Sequence, residues 1–432
     1  MRGFSVLLLA VTLAFRGAAA ESPPRPLTLR QAQQIAMRQH PRISVATLTA
    51  LAARQSARAV KSAFFPNIYA SATAVGTADP NDTRIAAGAL NNPVIYDREA
   101  DGVTISQLIT DFGRTRNLAR SANLQTRAEE MNLQATRAQI LLEVNNAYFS
   151  ALAAQSVLAV AAETVKSRQL VLVEIQTLAT NKLKSDLEVS FASVDYDQAV
   201  ILLAKARNDL NASFAVLSTL LAERPPKPET FQLTDEPVPA ALTNDMSSLI
   251  FEALGQRPEL ARFRYQRDAA REFAKAQEKL IYPTINAVGA AGIVPTGQSQ
   301  LPPDYAAAGV NLHLPLYAGG FYAARRREAD LRARAADETL RDEENTIIQD
   351  VQVSKLNAEY AHQRLALTQQ LLQNSNEALL LAQARYKGGI SSIIELSQAE
   401  LNQTSAQIAG ADAKYDYQIQ RSSLDFQLGR LH

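Results

Sequence analysis

Few residues in this chain have the types and spacings that chemistry needs. There is no cysteine, which removes disulfides, thiolate metal sites and Cys nucleophiles. The four histidines, His40, His313, His362 and His432, fall in unrelated contexts with no HExxH pair, so no zinc hydrolase site can be drawn. Asp111-Phe112-Gly113 is a kinase-like tripeptide, but no HRD, Gly-rich loop or VAIK accompanies it. It closes one apolar run and opens a long helical one, as Tyr317-Ala318-Gly319 does further on. No phosphate loop and no catalytic triad occurs, so no catalytic, cofactor or metal residue is assigned and no enzyme is expected. Two acids remain. Glu188 and Glu395 each stand just inside a break between helical stretches, where a first-turn carboxylate favours the helix dipole.

The elements that must position these acids follow from composition and pattern. The chain has 432 residues, 47% apolar and 20% charged, with only 6% aromatic, a balance that favours long helices over an aromatic-rich core. Residues 1–20 have the form of a secretory signal: Arg2, an apolar run from Phe4 to Phe15, and Ala18-Ala19-Ala20 before Glu21. Arg16 makes the run too short for a membrane anchor, and no Cys follows for lipid attachment. Without Arg2 and Arg16, 42 basic residues face 43 acidic ones, a balance that gives no sign of nucleic acid. Beyond this segment no stretch is expected to cross a bilayer as a helix, so any membrane insertion would be as strands.

The chain repeats itself. Gln39-His40-Pro41 returns as Gln256-Arg257-Pro258 and Phe65-Pro66 as Tyr282-Pro283, both 217 residues on. Later the shift is 207: Ile140, Val144, Ala147, Ala151, Ala154 and Leu158 return as Ile347, Val351, Ser354, Ala358, Ala361 and Leu365. Ser185, Glu188 and Ala192 return as Ser392, Glu395 and Ala399. The chain is an internal duplication, with a first repeat at 21–222, a Pro-rich surface linker at 223–243 and a second repeat at 244–432. Each repeat is expected to hold a first helix (about 29–64 and 244–281), two strands (67–77 and 102–110; 284–294 and 308–316), a very long helix (115–178; 322–386) and a last helix (185–221; 392–428).

About 64 residues at 1.5 Å per residue make roughly 95 Å, more than a globular domain uses. The alanine-rich seam of period 3.5 is that of antiparallel coiled-coil hairpins. The strands alternate. Ile68, Ala70, Ala72 and Ala74 oppose Ser71 and Thr73, and Val103, Ile105 and Ile109 oppose Thr104 and Ser106. Ile285, Ala287, Ala291 and Ile293 oppose Thr284 and Asn286, and Val310, Leu312, Leu314 and Leu316 oppose Asn311 and His313. Their length suits tilted membrane strands, although a small soluble sheet has the same period. Four strands cannot close a barrel, and lipid tolerates no open edge. Eight strands from two chains or twelve from three would both close one. Arg325-Arg326-Arg327 then reads as a solvated basic face at the membrane–periplasm border.

This order of elements resembles the outer-membrane efflux proteins of the TolC type. The likeness spans about Leu27 to Leu431. It is strongest at Ala384-Arg-Tyr-Lys-Gly-Gly-Ile-Ser-Ser-Ile-Ile-Glu-Leu-Ser-Gln-Ala-Glu-Leu401, with further support at Ala413-Lys-Tyr-Asp-Tyr417 and Leu428-Gly429. The resemblance implies a mostly α fold with a small β part. Three chains would form a homotrimer with a 12-stranded β-barrel among outer-membrane lipids and an α-helical periplasmic tunnel closed at its far tip. It implies a passive, gated exit duct for an efflux or type I secretion system. A periplasmic adaptor would open the duct and link it to an inner-membrane pump of the RND or ABC type. By the same resemblance the tip lies at 180–185 and 387–391. Its gate would use Glu395, Glu188 and Tyr386, with Gln398 where relatives carry a second acid and Ser391 where some carry Arg. Gly388, Gly389 and Ser392 would receive an adaptor hairpin, with Lys182 and Lys184 lining the neighbouring groove. The other expectation the residues allow is a structural coiled-coil protein of the envelope without a pore, which would have no use for the strands.

Overall fold

The computed structural model describes residues 25–75, 98–223, 231–241, 245–296 and 303–431. The expected signal at 1–20, the end of the first strand at 76–77 and much of 223–243 lie outside them. In chain order the elements are β1 (Arg25–Leu27), α1 (Leu29–Gln39), α2 (Pro41–Lys61), β2 (Asn67–Val75), β3 (Arg98–Thr110), α3 (Arg114–Thr180), α4 (Asp186–Leu220), β4 (Phe231–Leu233), α5 (Met246–Gln256), α6 (Pro258–Glu278), β5 (Thr284–Thr296), β6 (Asp304–His313), α7 (Phe321–Lys387) and α8 (Ile393–Gln427).

The duplication is visible in the backbone itself. The described residues with positive φ fall into four pairs 207 apart: Phe112 with Gly319, Gly113 with Gly320, Lys182 with Gly389, and Ala222 with Gly429. The strand-to-helix turn at Phe112-Gly113 therefore corresponds to Gly319-Gly320, one residue beyond the Tyr317–Gly319 match expected from sequence. The first copy holds three of these left-handed positions with Phe, Lys or Ala, where glycine would carry no Cβ penalty. Asp111 caps α3, its carboxylate accepting from the backbone N–H of Gly113 (3.0 Å) and Thr115 (2.6 Å).

The first helix of each repeat is two helices, not one. Pro41 and Pro258 each begin a new helix, and the residues before them, His40 and Arg257, are extended at ψ 123° and 122°. A residue preceding proline is excluded from the helical region, while proline itself suits a first helical turn. His40 Nδ1 accepts from Arg42 N, so this histidine is a buried helix cap. Burial foremost, and then Arg42, holds its pKa below the ordinary value.

Two compact units each take segments from both repeats. One comprises Met1–Ala36, Val144–Pro239 and Arg364–Gln418; the other comprises Met37–Glu143, Ala240–Gln363 and Ile419–His432. The 67-residue helices α3 and α7 contribute to both. In the expected seam Ile140, Val144, Ala151, Ile347, Val351 and Ala358 are fully enclosed, whereas Ala154, Leu158, Ser354 and Leu365 are half-buried. The expectation that no further helix could span a bilayer is too strong. An 18-residue window of α3 is apolar enough by length and composition, because its alanine-rich packing stripe is apolar too.

The second unit holds an antiparallel sheet in the order β2-β3-β5-β6. Ile68 pairs with Ile105, Ala70 with Val103, Val103 with Ala291, Ala287 with Val310 and Ile285 with Leu312. Directly paired residues share a face, so the apolar positions of the four strands gather on one side of the sheet, with Gln107 and Asp101 among them. On the other side the Tyr305 hydroxyl lies over Gly102 and Gly292, where an added Cβ would come within 2.4 and 2.7 Å of it. Strand β6 ends at His313, not 316, because Pro315 has no N–H for the ladder. Beside the sheet, the Arg54–Glu130 pair joining α2 to α3 recurs as Arg271–Asp337 joining α6 to α7, each at 2.7 Å.

In the first unit, the segment expected to be a surface linker packs into the fold. Its β4 pairs in parallel with β1, and Phe231 and Leu233 are buried. Tyr148 of α3 fastens the pair, its hydroxyl 3.0 Å from Leu27 O and 2.7 Å from Thr234 O. Burial, the largest influence on it, pushes this phenol up to about 12.

Candidate functional site

The two helix breaks of the first unit have one backbone design. At 181–185 the N–H of Lys182 bonds Ala179 O and that of Leu183 bonds Leu178 O. At 388–392 Gly389 bonds Tyr386 O and Ile390 bonds Arg385 O. This is the Schellman ending, which needs a left-handed residue. Gly389 takes it at φ 69°; Lys182 takes it at φ 59° despite its side chain. Gly388, Gly389, Lys182 and Ser392 are all exposed.

Under the breaks, four helices share one apolar cluster. Ile175 of α3, Ala192 of α4, and Ile393 and Leu396 of α8 are buried, and Tyr386 of α7 packs against them. The cluster brings the breaks of the two repeats together.

Glu188 stands at the centre of the polar layer. It closes a capping box with Ser185, accepting from Ser185 N at 3.0 Å while the Ser185 hydroxyl accepts from Glu188 N. Its other carboxylate oxygen accepts from Lys184 Nζ at 2.9 Å and from the Tyr386 hydroxyl at 3.2 Å. The Lys184 ammonium also lies 4.0 Å from the centre of the Tyr386 ring, within cation–π range. The first-turn role expected of Glu188 is therefore real, and a tie between repeats is added to it. Desolvation alone would raise the Glu188 pKa, but the bonds from Lys184, Ser185 and Tyr386 together hold it below the ordinary value. Lys184 is raised, chiefly by its bond to Glu188.

Glu395, the counterpart of Glu188, has a different setting. It pairs with Arg385 Nε at 3.1 Å and stays more open to solvent, with 44% of its side chain exposed against 21% for Glu188. Gln398 is exposed and bonds Asn402. Glu188, Tyr386 and Lys184 are thus in mutual contact, whereas Glu395 and Gln398 are not joined to them by any hydrogen bond among the described residues. Lys184 turns inward to this set, away from the exposed Lys182.

Two contacts escaped the sequence. Arg168 of α3 and Glu400 of α8 form an ion pair with both side chains almost wholly buried, 9% and 5% exposed. Nearby, Ser397 donates to Asp195 of α4. Arg168, Asp195 and Ser397 border a cleft of about 400 Å³ between α4 and α8 that Gln398 also lines. The Lys184–Glu188 spacing of four is a readable signal. Arg168 and Glu400 gave none, since their positions in the other repeat are Ser375 and Ser193.

Paired helix breaks, 67-residue helices and a four-stranded sheet define an internally duplicated, mostly α protein. The profile of the family described as "Outer membrane efflux protein" matches residues 32–223 and 249–430, and the chain belongs to that family. It is accordingly an outer-membrane protein of the Gram-negative envelope that extends into the periplasm, in a family of efflux channels. Outer membrane protein TolC of Salmonella enteritidis is 23% identical over 353 residues, covering 78% of this chain and 72% of that protein. Among solved structures, a membrane protein from Pseudomonas aeruginosa superposes with a TM-score of 0.81 at 22% identity, covering 93% of each chain. The open state of the MtrE outer membrane channel of Neisseria gonorrhoeae gives 0.76 at 20% identity, covering 97% of this chain and 95% of that one.

Proposed function

We propose that three copies of this chain form a passive exit duct, a 12-stranded barrel continued by a helical tunnel whose tip is closed by the residues around the two helix breaks. The duct would serve a tripartite efflux or secretion system, opened at Gly388, Gly389, Ser392 and Lys182 by the hairpin of a periplasmic adaptor that joins it to an inner-membrane pump. The observation that carries this reading is the open four-stranded sheet with Ile68, Val103, Ile105, Ile285, Val310 and Leu312 gathered on one face. Strands β2 and β6 each leave an edge unpaired among the described residues, and lipid does not tolerate such edges. Copies joined edge to edge satisfy both, and the apolar face turns to lipid.

The gate is formed by Glu188, Lys184 and Tyr386, which hold the two hairpins of one chain together. Glu395 and Gln398 face the axis from α8. Three copies of Glu395 at one level make a negative constriction that passes cations preferentially and binds divalent cations. With Gln398 neutral, the plug is weaker than one with two acidic rings. Nothing in this mechanism requires catalysis; a duct selects by width and field.

The test is a purified, detergent-extracted protein run unheated and heated in denaturing gels. A heat-modifiable trimer in the outer-membrane fraction supports the duct. A protein released to the periplasm by salt washing excludes it.

A further inference from the structure

In the second unit, aromatic residues gather at one end of the sheet. Phe65 precedes β2, Phe112 follows β3, Tyr282 precedes β5, and Tyr317 follows β6; all four are exposed. The register places these strand ends side by side, with Ile68 on Ile105, Ile285 on Thr110 and Thr284 on His313. Phe112 and Tyr282 touch, their rings 5.7 Å apart. Within the adjoining helix turns the chain becomes basic: Arg58 and Lys61, Arg114 and Arg116, Lys275 and Lys279, and Arg325 to Arg327. Apolar face, aromatic girdle and cationic belt follow the order of a bilayer cross-section from core to headgroup.

One groove in that belt is lined mainly by arginine among its charged groups. It lies between α3, α6 and α7, has a volume of about 370 Å³, and is walled by Phe273 and Phe321. Arg114, Arg325 and Arg332 line it against a single acid, Glu328. Glu328 accepts from Arg325 at 3.1 Å and pairs with Arg332 at 2.8 Å, so one carboxylate serves two guanidinium groups. Arg114 has no ion pair among the described residues, and its Nε is buried without a hydrogen-bond partner. That Nε–H is cut off from water and has no acceptor until an anion arrives. Phosphate matches its planar fork, and the phenyl walls accept the glycerol and upper acyl carbons of a lipid.

We propose that this groove seats the phosphate of an anionic phospholipid from the leaflet facing the periplasm. The proposal rests on the barrel orientation above. A zwitterionic lipid fits less well, because its own ammonium would meet the uncompensated positive charge. Each arginine near an anionic surface contributes about 1 kcal/mol, or roughly fivefold in occupancy.

The experiment uses full-length trimers in nanodiscs of equal phosphatidylglycerol and phosphatidylcholine, with the lipids retained on detergent extraction counted by native mass spectrometry. Wild-type protein is expected to retain phosphatidylglycerol in preference. Arg114→Gln should lower that preference about fivefold. Arg332→Gln, at the exposed rim, should lower it also, and serves if the first variant folds poorly. Arg58→Gln, elsewhere on the belt, should leave it intact. Equal retention of the two lipids by conducting wild-type trimers, or unchanged preference in both groove variants, overturns the site while leaving the duct standing. Protein that forms no conducting trimer overturns the barrel reading and this site with it.

Discussion

Tyr386 donates a hydrogen bond to Glu188 across 3.2 Å, and so ties α7 of one repeat to α4 of the other. Lys184 completes the clamp, bonding the same carboxylate and covering the same ring. The cation of the clamp in the second repeat's break thus comes from the break of the first repeat.

Breaking the clamp is expected to loosen the closed tip. Tyr386→Phe removes one hydrogen bond to a charged acceptor, about 1.5 kcal/mol where half-buried. Lys184→Met removes both the charge and its contact with the ring. Each should raise resting conductance and antibiotic sensitivity while trimers persist. Resting conductance equal to wild type in the double variant would show that the clamp does not hold the tip.

The pKa directions set a pH window for the clamp. Glu188 has a folded value below its unfolded 4.5, so its contribution is complete above 4.5 and fades as pH falls through the folded value. Lys184 has a folded value above its unfolded 10.5, so its contribution is complete below 10.5 and fades as pH rises through the folded value. Clamp-dependent conductance should be flat from about pH 5 to about pH 10 and rise below the Glu188 range. A step between pH 6 and 8, measured in bilayers, would assign the gate to other groups.

The left-handed position at each break makes an asymmetric prediction. Lys182→Gly should stabilise its break by about 1 kcal/mol and Gly389→Ala should destabilise its own by a similar amount, read as slower and faster amide exchange at 180–186 and 387–393. The adaptor role adds a second readout. Gly389→Trp should stop export with trimers intact, and normal export by that variant would remove Gly389 from the docking surface.

Arg168 and Glu400 should behave as a unit. Glu400→Gln leaves a guanidinium buried without its partner and should cost about 3 kcal/mol, whereas Arg168→Met with Glu400→Leu should restore most of the loss. Unfolding midpoints of wild type and these two variants decide it, and a double variant no more stable than Glu400→Gln would count against a coupled pair.

Much of this architecture was legible because the duplication wrote it twice. The seam from Ile140 to Leu158 and the alternation from Ile68 to Ala74 repeat in the other half, and repetition separates pattern from chance. The break at His40 was missed although Gln39-His40-Pro41 was seen to recur, because proline at a first helical turn starts a helix as readily as it ends one. Packing of Phe231 and Leu233 beside β1 was hidden by the surrounding prolines. The Arg168–Glu400 pair joins residues from different repeats with unlike counterparts, and a single sequence carries no trace of such a contact. Lys184 was visible, but its direction was not. An exposed lysine and one folded over Tyr386 read alike until the backbone at Lys182 is known.

Planar-bilayer recording of purified trimers tests whether this chain makes a pore closed at its tip with Glu395 at the constriction. A low, cation-selective conductance blocked by divalent cations is expected, with selectivity and block both reduced in Glu395→Gln. Stable trimers with no conductance, or Glu395→Gln channels with unchanged selectivity and block, would contradict it.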